Sequence, residues 1–220
     1  MFSAKKFKSS KVKDEYIDYI EYCAESDGKL PLLIYIHGAG SRGNSLSLLQ
    51  NVGPKYELEN GRKLNCLFVM PQCNKDTWFE LYETLLDFID ALRNDGRVDK
   101  SRVYICGSSM GGYTVWQLIM SRPEWFAAAV PVCGGGMYWN AATLKNLPVW
   151  AFHGKDDAVV LPEESRKMVD AVNKHGGNAK LTVYDGVGHN SWEKAFGSDD
   201  MWDWLFSCRK QTLHGDKTGV

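Results

Sequence analysis

The chain has 220 residues, of which 44% are hydrophobic and 24% are charged, and its formal net charge is -1. This composition is typical of a globular protein, and a chain of this length can bury a substantial core in one domain, 1–220. A net charge so close to zero gives no electrostatic reason to expect nucleic acid or an anionic membrane surface as a partner.

The first residues and the cysteines bear on where in the cell the protein is located. Residues 1–13 are basic and polar and are predicted to form a peripheral tail. No apolar segment follows them, so we expect no signal peptide and a cytoplasmic protein, although a chain trimmed at its start would look the same.

The six cysteines form no C-x-x-C pair and no Cys/His group with zinc spacing, which favours free thiols in a reducing compartment. No apolar run approaches the roughly 20 residues that a membrane-spanning helix needs.

In chain order, short apolar runs alternate with amphipathic segments. The predicted strands are 16–22, 32–36, 67–70, 103–106, 127–132, 149–152 and 180–184, the first of them antiparallel to the rest. The predicted helices are 78–94, a segment that follows Ser109, 163–175 and 199–210. This alternation predicts an α/β fold with a mostly parallel central sheet and helices on both of its faces.

The motif GSSMGG at 107–112 lies between a predicted strand and a predicted helix. Strand, tight turn and helix are the context in which G-x-S-x-G forms a nucleophile elbow. Glycines at Gly107 and Gly111 let the backbone pass close to a sharp turn that presents the hydroxyl of Ser109. A glycine-rich connection without chemistry is the alternative interpretation of the motif alone.

A serine nucleophile needs a base, and the base needs a carboxylate that orients it. Of the five histidines, His189 lies in the loop directly after the last predicted strand and follows both Ser109 and a carboxylate in the chain. His37 and His153 precede glycines at strand ends and are expected to shape loops. His175 and His214 are expected to be solvated. The carboxylate is Asp156 or Asp157, and the order serine, aspartate, histidine is that of the α/β-hydrolase fold.

Five segments together resemble the compact serine carboxylesterases of the α/β-hydrolase superfamily, namely the dienelactone-hydrolase-like, polyhydroxybutyrate-depolymerase-like and feruloyl-esterase-like groups and some predicted peptidases. The segments are MPQC at 70–73, GSSMGG at 107–112, AVPVCGG at 129–135, HGKDDAVV at 153–160 and GVGHNSW at 186–192. The resemblance extends from about residue 30 to 207.

The resemblance implies a catalytic triad of Ser109, Asp157 and His189, since the family's acid is the aspartate of H-G-x-x-D. It also implies an oxyanion hole made by the amides of Met110 and Ala39. Dienelactone hydrolases proper have a cysteine where this chain has Ser109, which argues against that particular activity. No metal and no organic cofactor is expected.

The gaps between the predicted strands are short, which predicts an open site without a lid domain. Trp78, Tyr138, Trp139 and Trp192 are candidate walls of that site, with ordinary packing as the alternative for each. The expected activity is hydrolysis of short-chain or aryl esters, including those on fragments of plant polysaccharides. Thioesterase or phospholipase-like, peptidase and non-catalytic binding functions on the same fold are the alternatives.

Overall fold

The computed structural model describes residues 1–210, which form one eight-stranded sheet flanked by helices. The strand order is β1-β2-β4-β3-β5-β6-β7-β8; β2 pairs antiparallel with both β1 and β4, and all other neighbouring strands pair in parallel. The strands are β1 (Phe2–Lys8), β2 (Tyr16–Cys23), β3 (Leu30–Ile36), β4 (Leu67–Pro71), β5 (Val98–Ser108), β6 (Ala128–Val132), β7 (Val149–Gly154) and β8 (Ala179–Tyr184). The predicted mostly parallel sheet with an early antiparallel strand is confirmed.

In the described part of the chain, residues 1–210, six α-helices cover the two faces of the sheet, three on each. The helices are α1 (Gly53–Glu59), α2 (Tyr82–Arg93), α3 (Met110–Ser121), α4 (Pro162–Lys174), α5 (Trp192–Gly197) and α6 (Asp199–Ser207). Apolar residues of α2, α3 and α4 belong to one core cluster, and those of α5 and α6, with α1 beside them, belong to the other. Both faces of the sheet are therefore buried.

The central strand β3 explains why the sequence folds this way. All of its residues are buried, and Leu32, Ile34 and Ile36 enter one core cluster while Leu33 and Tyr35 enter the other. A strand that packs on both faces needs a continuous apolar run, because its side chains alternate between them. The paired register brings β3, β5 and β6 to a common carboxyl edge, where Gly107 lies opposite Ile36 and Pro131.

Several boundaries differ from the prediction. Helix α2 begins at Tyr82 rather than at residue 78, because residues 78–81 form a turn that precedes it. The short helices α1 and α5 were not predicted, since neither is long enough to show a helical repeat of apolar residues. The polar first residues form strand β1 at the edge of the sheet, where lysines are compatible with an exposed position.

The structure also bears on the expected state of the cysteines and on membrane-spanning helices. All six cysteines are free thiols, as predicted. None of the helices within residues 1–210 combines the length and the apolar character that crossing a bilayer requires.

Candidate active site

Ser109 occupies a strained turn between β5 and α3. Its backbone has φ 56° and ψ -120°, a conformation that non-glycine residues rarely adopt. The turn is possible because its neighbours are glycines: a Cβ on Gly107 would lie 2.7 Å from the carbonyl oxygens of Gly111 and Ile36, and a Cβ on Gly111 would overlap the Ile36 carbonyl. The helix α3 therefore packs directly on the end of β3, with Ser109 at its first turn.

Three side chains from separate loops meet at this turn. The Oγ of Ser109 lies 2.8 Å from Nε2 of His189, and Nδ1 of His189 lies 2.7 Å from Oδ2 of Asp157. A neutral imidazole that donates from Nδ1 to the carboxylate leaves Nε2 as an acceptor for the serine hydroxyl. The Asp157 side chain is fully buried and that of His189 is 21% exposed, so the base reaches both the carboxylate and the surface.

The buried carboxylate of Asp157 is held in its charged form. Its Oδ1 accepts the amides of Val159 and Val160 at 2.9 Å each, and its Oδ2 accepts Nδ1 of His189. Burial opposes ionisation, but these hydrogen bonds outweigh it and hold the pKa of Asp157 below its ordinary value. The neighbouring side chain of Asp156 is exposed, so the structure brings Asp157 and not Asp156 to the histidine.

Direct packing of two loops sets the distance between Asp157 and His189. The amide of Asp156 donates to the carbonyl of Val187 at 2.9 Å. A Cβ on Gly154, the last residue of β7, would overlap the carbonyl oxygens of Val187 and Gly188. Glycine at this position lets the loop that carries His189 lie against the end of β7.

Two backbone amides, those of Met110 and Ala39, lie close to Ser109, the first in the chain and the second in space. Met110 is the first residue of α3, so its N–H has no partner within the helix. Ala39 begins a 3-10 turn, Ala39–Ser41, just after β3, and the preceding Gly38 lies so close that a Cβ there would be 3.4 Å from Cβ of Ser109. Within residues 1–210, neither the Ala39 nor the Met110 amide donates to an acceptor.

His37 fixes the peptide that carries the Ala39 amide. Its Nε2 accepts the amide of Cys73 at 3.0 Å, so its proton is on Nδ1, which donates to the carbonyl of Gly38 at 2.7 Å. Because C=O and N–H of a trans peptide point in opposite directions, this bond turns the N–H of Ala39 away from the imidazole. Burial lowers the pKa of His37 to about 4, so the ring stays neutral. His37 thus shapes a loop, as predicted.

The other histidines also have structural surroundings. His153 is fully buried, at the end of β7, and His175 is exposed at the end of α4, as its predicted solvation requires. His214, which was also expected to be solvated, lies outside the described residues.

The four candidate wall residues differ in exposure and in their contacts. The prediction for Trp78 is wrong: its side chain is fully buried and its Nε1 donates to the carbonyl of His37 at 2.9 Å, so it supports the loop from beneath. Trp192 is half-buried and meets the His189 ring edge to face, with centroids 5.5 Å apart. Tyr138 and Trp139 are 50% and 70% exposed and pair with each other after β6.

A shallow depression beside Ala39 was not predicted from the sequence. It encloses about 550 Å³ and lies between the loops that follow β3 and β4; its lining consists of Ala39, Arg42, Gly43, Asn74, Lys75, Asp76 and Glu80. The Arg42 guanidinium donates to the carbonyls of Ala39 and Asp76, at 2.9 and 2.6 Å, and so joins the two loops. Polar surface residues carry no periodic signal; only the adjacency of β3 and β4 could have pointed to this surface.

One group of side chains has the composition of a metal site. Ligand atoms of Cys133, Asp157 and His189 lie within 4.8 Å of one another. Burial raises the pKa of the Cys133 thiol to about 12, so at neutral pH it lacks the charge of a thiolate ligand. The Asp157 and His189 atoms are already hydrogen-bonded to each other. The donor set therefore fits a hydrogen-bonded triad better than a metal.

Several known esterases are similar to this chain. Residues 62–199 match the dienelactone hydrolase family. The carboxylesterase SOBER1 of Arabidopsis thaliana is 21% identical over 200 residues, which cover 77% of this chain and 88% of that protein. A thermostable esterase of known crystal structure is 31% identical in sequence to this chain and superposes with a TM-score of 0.82. The match covers 94% of this chain and 63% of the esterase chain. A ferulic acid esterase, 18% identical with a TM-score of 0.68 over 93% of this chain and 96% of its own, shares the fold.

Proposed function

The chain belongs to the dienelactone hydrolase family and is an ester hydrolase of the α/β-hydrolase fold; from this premise we propose that it is a serine carboxylesterase that acts through an acyl-enzyme. The observation that carries the proposal is the 2.8 Å contact between Oγ of Ser109 and Nε2 of His189. A serine hydroxyl is a poor nucleophile unless a base within hydrogen-bond reach takes its proton.

In the acylation step, Oγ of Ser109 attacks the ester carbonyl carbon while its proton moves to Nε2 of His189. The imidazolium that forms is stabilised by Asp157, which holds Nδ1 at 2.7 Å. When the tetrahedral intermediate collapses, the proton on Nε2 passes to the leaving alcohol and the acyl group stays on Ser109. In the second step the oxygen of a water molecule attacks the acyl carbon while a water proton moves to Nε2 of His189. The bond between the acyl carbon and Oγ of Ser109 then breaks, His189 returns the proton to Oγ, and the acid leaves.

The negative charge of each tetrahedral intermediate is received by the amides of Ala39 and Met110. Both amides lie beside Ser109 and lack an acceptor within the described chain, so they are free to bind an oxyanion. Loss of a single donor of this kind typically costs about 3 kcal/mol of barrier. The bond from His37 to the Gly38 carbonyl prevents the loop from turning the Ala39 amide away.

We expect the substrates to be esters of short or aromatic acids. The partly exposed ring of Trp192 packs against His189 and offers an apolar surface next to the reacting atoms. The polar depression beside Ala39 suits a hydrophilic alcohol, such as a sugar of an esterified plant polysaccharide fragment. Tyr138 and Trp139, in the connection between β6 and β7, are candidates for further aromatic contacts because both are exposed.

Replacement of the nucleophile tests the proposal. Ser109→Ala should lower kcat/KM for p-nitrophenyl acetate by at least about a thousandfold, and should prevent labelling by a fluorophosphonate, because no other group then attacks the carbonyl. Ser108→Ala is the matched control: this neighbour is buried and hydrogen-bonded to the Tyr35 hydroxyl at 2.8 Å, so its loss should leave labelling intact. Equal hydrolysis by purified Ser109→Ala would refute the proposed nucleophile.

A further inference from the structure

A second histidine lies behind the carboxylate that orients the proposed base. The side chains of His153 and Asp157 are both fully buried, and Nε2 of His153 lies 3.2 Å from Oδ2 of Asp157. The same oxygen lies 2.7 Å from Nδ1 of His189. Asp157 is therefore between two imidazoles, of which only that of His189 reaches Ser109.

The surroundings of His153 determine which of its nitrogens carries a proton. The two atoms nearest to Nε2 are the carbonyl oxygen of Val160, at 2.9 Å, and the carboxylate oxygen of Asp157. Both are acceptors only, so Nε2 carries a proton and donates it to Val160. The other nitrogen, Nδ1, lies 2.7 Å from Oγ of Ser165, and the same hydroxyl lies 2.8 Å from the carbonyl of Gly134, to which it can also donate. With a proton on Nε2, the ring is neutral when this hydroxyl donates to Nδ1 and charged when it donates to Gly134.

This hydrogen bond completes the turn that presents the acid. The amides of Val159 and Val160 bind Oδ1 of Asp157, and Nε2 of His153 binds the carbonyl of Val160. The turn 157–160 is thereby anchored at both ends, and Oδ1 is fully used inside it. The other oxygen of the carboxylate, Oδ2, lies between Nδ1 of His189 and Nε2 of His153.

We propose that His153 is a positioning residue for the esterase reaction: its Nε2–H locks the 157–160 turn and faces Oδ2, so that Asp157 holds His189 in line with Ser109. The proposal rests on the proposed function, because it assigns a task within the same triad. If His153 only filled space, any side chain of its shape would do. If it positions Asp157, the side chain must place an N–H where Nε2 is now.

Two polar substitutions separate these alternatives. Glutamine can place an amide N–H near the position of Nε2, whereas the shorter asparagine can place one only near Nδ1. We expect His153→Gln to keep kcat within about threefold of the wild type. We expect His153→Asn and His153→Phe to lower kcat about tenfold to a hundredfold with KM nearly unchanged, because a small displacement of a catalytic group has effects of this size.

The pH profile gives a readout that packing alone would not move. Without the N–H at Oδ2, the full carboxylate charge faces His189 and favours its protonated form, so the acid limb of kcat/KM should move to higher pH in His153→Asn and His153→Phe. Other ionisable groups near Asp157 are Tyr113 of α3, with Glu164 of α4 beside it, and Cys133 after β6. Burial raises the pKa of Tyr113 and Cys133, so both stay neutral across the acid limb, and Glu164 is the same in every variant.

Each measurement is referred to the concentration of sites that react with a fluorophosphonate, which removes any effect of partial unfolding. Unchanged kcat in His153→Phe, or a loss in His153→Gln equal to that in His153→Asn, would overturn the proposal. A wild type that is not labelled at Ser109 would instead refute the proposed function. Should the variants not fold, 15N NMR of the wild-type imidazoles decides: a protonated Nε2 on His153 supports the proposal, and an unprotonated one contradicts it.

Discussion

Two adjacent carboxylates, Asp156 and Asp157, show how strongly position decides the chemistry of a residue. Asp156 is exposed, and its backbone amide, not its side chain, makes the structural bond to Val187. Asp157 is buried and accepts two amides and the imidazole of His189. The same side chain is therefore a surface charge at one position and part of a buried network at the next.

We predict that Asp157→Asn lowers kcat/KM about a thousandfold or more, while Asp156→Asn stays within about twofold of the wild type. The amide oxygen of the asparagine would stay with the amides of Val159 and Val160, so its NH2 group would take the place of Oδ2 and donate to Nδ1 of His189. The neutral imidazole would then carry its proton on Nε2, which could no longer accept the proton of Ser109. Steady-state kinetics on p-nitrophenyl acetate measure both variants, with circular dichroism as the check on folding. The opposite ranking would assign the acid to Asp156.

The sequence was informative about single residues where chain order and chemistry coincide. Ser109 and His189 follow from the elbow motif and from the order of elements, and the structure brings them together. The choice of Asp157 over Asp156 needed the resemblance, since neighbouring carboxylates are equivalent in a sequence. Trp78 was misjudged because an aromatic residue after a strand can equally line a site or, as here, support a loop from the core.

At the scale of elements, the turn that follows β1 is held to α2 by one buried carboxylate. Asp87 of α2 accepts hydrogen bonds from the amides of Ser10 and Lys11 and from the hydroxyls of Ser9 and Ser10. Burial opposes its ionisation, but these bonds outweigh that effect and lower the pKa of Asp87 below its ordinary value. The chain that leaves β1 is thus capped by a charge on a helix far along the sequence.

We predict that Asp87→Asn lowers the free energy of unfolding at pH 7 by roughly 1.5 to 3 kcal/mol, the usual contribution of hydrogen bonds to a buried charge. Because the folded-state pKa of Asp87 is depressed, this stabilisation is present above the ordinary carboxyl pKa of about 4 and is lost as pH falls through the folded value. Urea unfolding of both proteins between pH 7 and pH 3 measures the convergence. Asp18→Asn is the control, since its carboxylate is 42% exposed and only 3.4 Å from Lys6; a difference that does not shrink in acid would contradict the assignment.

Strands with a clear apolar pattern could be predicted from the sequence, and a strand without one could not. The runs at β3 and β4 are buried on both faces, and their sequence is continuous and apolar for that reason. Strand β1 is rich in lysine, and its β structure comes from pairing with β2 along its whole length, from Phe2 opposite Tyr22 to Lys8 opposite Tyr16. Pairing with a neighbour overrides the local preference of an edge segment, and no pattern within residues 2–8 reveals it.

At the scale of the whole molecule, the parallel strands bring every proposed functional group to one edge of the sheet. Ala39 follows β3, Ser109 follows β5, Asp157 follows β7 and His189 follows β8. Such convergence at the carboxyl ends is what a mostly parallel sheet produces, and it could be predicted from element order alone. The conformation of the loops could not be predicted in this way, because the depression beside Ala39 depends on the hydrogen bonds by which Arg42 joins two loops.

The same arrangement leads to a prediction about substrate size. The connection between β6 and β7, residues 133–148, contains one 3-10 segment, Tyr138–Leu144, whose Tyr138 and Trp139 are exposed. A connection of this kind offers an aromatic surface but does not enclose a long acyl chain. Each buried methylene contributes roughly 0.8 kcal/mol of binding free energy, and an open site should cease to gain this after about four carbons.

We therefore predict that kcat/KM for p-nitrophenyl esters rises from acetyl to butyryl and then levels off or falls toward dodecanoyl. Methyl ferulate should be a good substrate, and cleavage of peptides should be negligible, because within residues 1–210 nothing near Ser109 marks a pocket for a peptide backbone. Rates are to be corrected for the background measured with Ser109→Ala. A preference for dodecanoyl esters, or peptide cleavage as fast as ester hydrolysis, would show that the site encloses more of its substrate than these open loops allow.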